Sequence, residues 1–231
     1  RRLQGALIRS WWRKLPLPIL YSFRRCPYAM RARLALEAGG IEVELREILL
    51  RDKAPEFLAA SEKATVPVMV LDDGAVLEQS LDIIRWALDT SGAGEKLTPD
   101  QGNMRDALAL IERMDADFKP HLDAYKYLYR SDQTAAFAAR EKALAFLYEL
   151  DEMLVGQSYL SGQKRSVADI GVAPFVRQFA HVDRDWFYAQ DWENLKPWLL
   201  GFLESEAFKR IMKKYPKWVV GDAVTVFSPG D

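Results

Sequence analysis

The sequence predicts an α/β domain followed by an all-helical one, and three observations carry that prediction. Before residue 92, short apolar runs alternate with helical patterns in the order βαβ, a short helix, then ββα. Past residue 100, apolar residues recur at three-, four- and seven-residue steps, as they do on one face of a helix. Between the two lies "SGAGEKLTPD", residues 91–100, with the composition of a linker. The predicted layout is therefore an extension over 1–17, an α/β domain over 18–91, a linker over 92–100 and a helical domain over 101–231.

Each element has a local reason. "PILYSF" is a short apolar run suited to a buried strand, and residues 27–39 form a helical pattern closed by Gly39 and Gly40. "VELREI" alternates as a strand, "PEFLAA" starts with proline as a short helix does, and "VPVMVL" is a second buried strand. "AVLE" follows the Asp73-Gly74 turn as a further strand, and residues 79–90 form the last helix of this half. In the second half, Leu108, Ile111, Phe118, Leu122 and Tyr125 mark one helical face, and Phe137, Leu144, Leu147 and Leu154 another. A third helix starts at "SVAD", where Ser166 and Asp169 stand three apart as a capping box.

Composition narrows the function classes. Charged residues make up 28% and the formal net charge is -1, so charge balance makes no case for a nucleic-acid partner. No window approaches the ~18 apolar residues of a membrane span. A single cysteine cannot close an internal disulfide, which favours the cytoplasm, and two histidines without a Cys/His cluster argue against a metal site. The opening "RRLQGALIRSWWRKLPLP" is basic but lacks a continuous apolar stretch and a cleavage site, and reads as an extension.

The lone cysteine sits in "LYSFRRCPYAM". With a strand before it and Pro27 as the first helical residue, Cys26 faces the free N–H groups and positive dipole of a helix N-terminus. With Arg24 and Arg25 adjacent, a thiol pKa below the free value of ~8.5 is expected, as for a reactive cysteine. In "TVPV", Pro67 stands at the head of an apolar strand, where a ladder rejects proline. A cis Val66–Pro67 bond resolves this, turning the Val66 N–H and C=O towards an extended peptide ligand.

"CPYA", then "TVPV", then Gln79-Ser80, then an all-helical second half resembles a cytosolic glutathione transferase, most of all the cysteine-type (omega-like) members and their bacterial relatives. The resemblance runs from residue 18 to about 220 and implies a thioredoxin-like first domain. It implies that Cys26 is the catalytic residue that forms a mixed disulfide with glutathione. Tyr28, Lys53, Val66, Pro67, Gln79 and Ser80 would bind that cosubstrate: Val66 through its backbone, Ser80 at the γ-glutamyl carboxylate on a helix N-terminus, Lys53 near the glycyl carboxylate. Omega-like members commonly have Glu-Ser where this chain has Gln79-Ser80; Gln79 can hydrogen-bond the γ-glutamyl group but cannot pair with its ammonium, and Glu78 could do so only in a shifted register.

The implied reaction is thiol transfer or conjugation to a small electrophilic or disulfide substrate, without a metal and in a homodimer. Position 29 is alanine, so glutathione itself must resolve the mixed disulfide. Tyr21 and Ser22 are rival activating hydroxyls but belong to a strand pattern. Tyr125, Tyr129 and Trp186 are candidates for the acceptor side. A non-catalytic binding or regulatory protein of the same fold is the alternative, and a membrane-associated module using "KRIMKKYPKW" is a third reading.

Overall fold

The computed structural model of the chain describes residues 16–229. The extension expected over 1–17 therefore lies outside the described residues except for its last two positions. The first half follows the predicted order: β1 Ile19–Ser22, α1 Pro27–Gly39, β2 Val43–Glu47, α2 Pro55–Ala60, β3 Val68–Val70, β4 Val76–Leu77 and α3 Ser80–Thr90. The second half contains α4 Ala93–Leu97, α5 Met104–Arg113, a π-helical turn Met114–Phe118, α6 Lys119–Leu128, α7 Gln133–Met153, α8 Val167–Ala180, α9 Arg184–Ala189, α10 Leu195–Glu204 and α11 Glu206–Ile211. Two features differ from the expectation. The linker carries the short helix α4, and a final strand, β5 Val226–Phe227, returns to the sheet.

The sheet order is β4-β3-β1-β2-β5, with β1 and β2 parallel and every other pairing antiparallel. Because side chains alternate along a strand, the sheet feeds two cores. Leu20 and Met69 join the large cluster beneath the helices, while their neighbours Tyr21 and Val68 join a smaller one with Phe57 of α2.

The helix α1 is the hinge-pin of the architecture. Pro27 occupies its first turn, where no N–H is needed, and Gly40 closes it at φ 68, ψ 26, a left-handed conformation that glycine adopts without a Cβ penalty. Every residue from Ala29 to Ala38 is buried, because α3, α4, α8 and α11 pack around α1 and its apolar residues share one core with Leu20, Val43, Leu45 and Met69 of the sheet. A helix enclosed this way should be apolar all round, yet it holds Arg31, Arg33 and Glu37. Each is paired: Arg31 with Asp115, Arg33 with Glu47 and the Arg24 carbonyl, Glu37 with Arg165 and Arg210. Burial of a charge is tolerated only on such terms.

The capping box at α8 forms. Ser166 Oγ accepts from the Ala168 amide at 3.2 Å, and Asp169 accepts from the Ser166 amide at 2.8 Å. The same carboxylate also accepts from the Ser166 hydroxyl, the Leu160 amide and Trp198 Nε1, which ties the α7–α8 connection and α10 to the start of α8. Gly171 lets α5 approach closely, since a Cβ there would lie 2.3 Å from Ile111 Cδ1. Among the described residues no helix is long and apolar enough to cross a membrane. The basic run "KRIMKKYPKW" is largely engaged by acids, with Lys209 on Glu206, Arg210 on Glu37 and Lys217 on Asp52.

Candidate active site

A cavity of about 810 Å³ opens where β1, β3 and the N-termini of α1 and α3 meet the π-helical turn and α6. Cys26, Tyr28, Lys53, Val66, Pro67, Gln79 and Ser80 all line it. Seven residues spread over 55 positions converge because the strand order places the ends of β1 and β3 side by side. Tyr21 and Ser22 do not line this cavity: both are buried in β1, and the Tyr21 hydroxyl accepts from Arg46 at 2.8 Å.

Cys26 is the N-cap of α1, with extended backbone (φ -75, ψ 123). Its thiol donates to the Val66 carbonyl at 3.6 Å, and the Val66–Pro67 bond is cis as expected. The electrostatics correct one expectation. Burial pushes the Cys26 thiol up, outweighing the Tyr28 and Ala29 amides and the positive charges of Arg33 and Lys119, all of which lower it. The residue is part-buried by surface area but closely surrounded by protein, and that packing sets the direction. Arg24 and Arg25, adjacent in sequence, are not the charges that reach the sulfur; those are Lys119 and Arg33, the latter about two helical turns along α1 and itself pushed down to about 10 by burial.

The other expected ligands come from separate segments of the chain. Ser80 is the first residue of α3 and buried; its Oγ accepts from Arg31 Nε at 2.8 Å. Gln79 caps α3 with an exposed side chain that makes no capping bond, leaving its amide available. Glu78 also lines the cavity but is committed elsewhere. Ser61 donates to it at 2.5 Å and Lys63 lies at 3.4 Å, contacts that hold its carboxyl below the usual range. Lys53 also lines the cavity and is part-buried. Tyr28 packs edge-on against Phe175, and its hydroxyl pKa is pushed up by burial and by Asp115.

Sequence reasoning missed Arg31, Asp115 and Lys119, which also line the cavity. Arg31 grips Asp115 through both terminal nitrogens, at 2.6 and 3.2 Å, so the wall beside Ser80 is built jointly by α1 and the π-helical turn. A signal was available, since arginine in an apolar, enclosed helix demands a partner. Of the acceptor-side candidates, Tyr129 lines a neighbouring basin, whereas Tyr125 is wholly buried and Trp186 lines neither space.

Comparison with known proteins agrees with this geometry. Residues 20–95 match the family described as "Glutathione S-transferase, N-terminal domain", and residues 101–200 match "Glutathione S-transferase, C-terminal domain". Glutathione S-transferase omega-1 of Sus scrofa is 25% identical over 161 residues, covering 69% of this chain and 66% of the pig protein. Elongation factor 1-gamma 2 of Oryza sativa subsp. japonica is 27% identical over 211 residues, covering 81% of this chain but 50% of the rice protein. A glutathione transferase family member from Pseudomonas fluorescens, solved with two glutathione molecules bound, superposes with a TM-score of 0.75 at 19% identity over 87% of this chain and 94% of that one, a likeness of fold. With a thioredoxin-like half and a helical half each matched by its own domain of one family, the chain belongs to the glutathione S-transferase family.

Proposed function

We propose that this family member is a glutathione-dependent thiol transferase or reductase of the omega-like cysteine type, with Cys26 as its nucleophile. The observation that carries the proposal is the Cys26 thiol at the N-terminus of α1, hydrogen-bonded to the Val66 carbonyl within the cavity lined by Ser80, Gln79 and Lys53. A glutathionyl group laid along Val66 would compete for that carbonyl with its own cysteinyl N–H. Losing the acceptor of its proton removes one stabiliser of the thiol form, and the Tyr28 and Ala29 amides remain to favour the thiolate.

The chemistry then runs in two exchanges. The Cys26 thiolate attacks the glutathionyl sulfur of a mixed disulfide, the S–S bond breaks, and the substrate thiolate leaves. A second glutathione thiolate attacks the Cys26–glutathione disulfide, releasing glutathione disulfide and regenerating Cys26. Ser80 and the α3 N-terminus receive the γ-glutamyl carboxylate, Gln79 hydrogen-bonds that end, and Lys53 meets the glycyl carboxylate. Tyr28 packs beside the sulfur, and no metal takes part. The same reading carries a cytoplasmic homodimer, which sedimentation at several concentrations tests.

Incubation with glutathione disulfide should give one adduct of glutathione on the wild-type protein, mapped to Cys26 by mass spectrometry, and none on Cys26→Ala. Folded protein that binds glutathione but forms no adduct would instead support a non-catalytic binding protein, the reading favoured by the similarity to elongation factor 1-gamma.

A further inference from the structure

The cavity around Cys26 continues into a second basin of about 660 Å³. Phe23, Arg25, Lys126, Tyr127 and Gln178 line both spaces, so the two share a wall. Tyr129, Arg130, Arg177, His181 and Val182 complete the outer basin. Its lining includes four full positive charges, on Arg25, Lys126, Arg130 and Arg177, and no aspartate or glutamate. A chain with 32 basic and 33 acidic residues would ordinarily interleave the two signs.

Several cations elsewhere have carboxylate partners, as Arg31, Arg85, Arg113 and Lys119 do. Among the described residues none of the four basin cations has one. Arg25 lies over the Phe23 ring at 5.4 Å, Lys126 over Tyr127 at 4.7 Å and Arg177 over Phe208 at 5.6 Å. The carboxylate that touches a lining residue, Asp183, accepts from the Tyr129 hydroxyl at 2.8 Å and the Trp186 amide at 3.0 Å. Arg177 is half-buried, and its Nε has neither solvent nor a protein partner; the same holds for Gln178 Oε1 beside it. His181 keeps more than a third of its surface in water, yet desolvation of the rest and the charges of Arg177 and Arg184 push it down to about 4. Uncompensated guanidinium groups against low-dielectric walls focus a positive potential into the basin.

We propose that the outer basin is the acceptor subsite and selects a small organic anion, whose apolar body lies along Phe23, Tyr127 and Val182 and whose carboxylate is held by Arg177, Arg130 and Lys126. The acceptor role rests on the glutathione reading above; the anion selectivity rests on the basin alone. A bound carboxylate supplies the partner that Arg177 lacks, and the Gln178 amide, turned about its terminal bond, offers its N–H₂ to the same oxygen.

Two matched probe pairs test this. By calorimetry with saturating glutathione, unreactive 4-phenylbutyrate should bind at least tenfold tighter than 4-phenylbutanamide, and salt should weaken only the carboxylate. Arg177→Gln should bring the two within threefold while leaving the melting temperature and the glutathione titration unchanged; Arg130→Gln, at an exposed position, should reduce the gap without any folding cost. As acceptors, 3,3′-dithiodipropionate should exceed neutral bis(2-hydroxyethyl) disulfide at least tenfold in kcat/KM, through KM, and lose that lead in Arg177→Gln. The exchange read is attack of a thiolate on one disulfide sulfur, with 3-mercaptopropionate leaving and taking up the proton. Equal binding of carboxylate and amide, or a preference insensitive to both substitutions, overturns the anion site. Equal kcat/KM for the two disulfides overturns the acceptor role. Charge-selective binding in a protein that neither binds nor turns over glutathione leaves the anion site standing and removes the thiol-transfer reading instead.

Discussion

Asp115→Ala probes how α1 is fastened to the helical half, beside Ser80. Arg31 is 2% exposed, and Asp115 meets two of its nitrogens at 2.6 and 3.2 Å. At about 4 Å between charge centres and an effective dielectric of about 20, the attraction is about 4 kcal/mol. The Asp115 carboxylate is 29% exposed, so solvent screens part of this and about 2–3 kcal/mol remains. Removing it also strands a guanidinium with only the Ser80 hydroxyl and the faces of Tyr28 and Phe175, so the expected loss is about 3–4 kcal/mol. Arg31→Met removes the charge along with its need for a partner, so Arg31→Met/Asp115→Ala should be more stable than Asp115→Ala alone. Urea unfolding followed by tryptophan fluorescence on all four species gives the coupling energy, expected at about 2 kcal/mol or more. A coupling below about 0.5 kcal/mol would refute the argument, because the pair would then behave like an exposed one.

The thiol of ligand-free protein should be alkylated by iodoacetamide with a midpoint above that of an ordinary cysteine, since burial raises it; Lys119→Gln should raise the midpoint further, and Arg24→Gln/Arg25→Gln should leave it in place. Ser80→Ala should weaken glutathione binding, read by calorimetry, by about 1.5–3 kcal/mol, with unchanged affinity excluding a carboxylate contact there. Asp169→Ala leaves four donors without an acceptor, so thermal or urea unfolding should show a loss of about 3–5 kcal/mol, while folded protein keeps its Cys26 alkylation profile. His181 has a folded pKa of about 4, below its unfolded value, so the unfolded state takes up the proton first; stability should fall as pH drops from 6.5 towards 4, and fall less in His181→Gln.

The first domain was legible because its signals are local. An apolar run marks β1, alternation marks β2 and proline marks the starts of α1 and α2; in the helical half, Ser166 with Asp169 marks the start of α8 in the same local way. The convergence of Cys26, Val66 and Ser80 was legible through their motifs rather than through periodicity. What escaped is non-local. Arg31 and Asp115 are 84 positions apart, and nothing near either names the other. β5 is two residues long, too short for any pattern, and exists because β2 offers it an edge. The direction of the Cys26 shift was misjudged for the same reason: flanking arginines are visible in a sequence, whereas the packing that desolvates the sulfur is contributed by distant segments.

That short last strand has a consequence for how the protein is made. Phe227 pairs with Val43, and upstream of it the Thr225 carbonyl accepts from Leu45 while Trp218 donates to the Glu47 carbonyl. Synthesis at about 5–20 residues per second puts roughly 180 residues, some 10–40 s, between the emergence of β2 and that of its partner. Throughout that interval β2 presents a bare line of N–H and C=O groups, open to pairing with a neighbouring nascent chain. The first domain, made before the helical half, is thus completed only after it, and a chaperone that shields this edge during translation should raise the yield more than one that acts after synthesis.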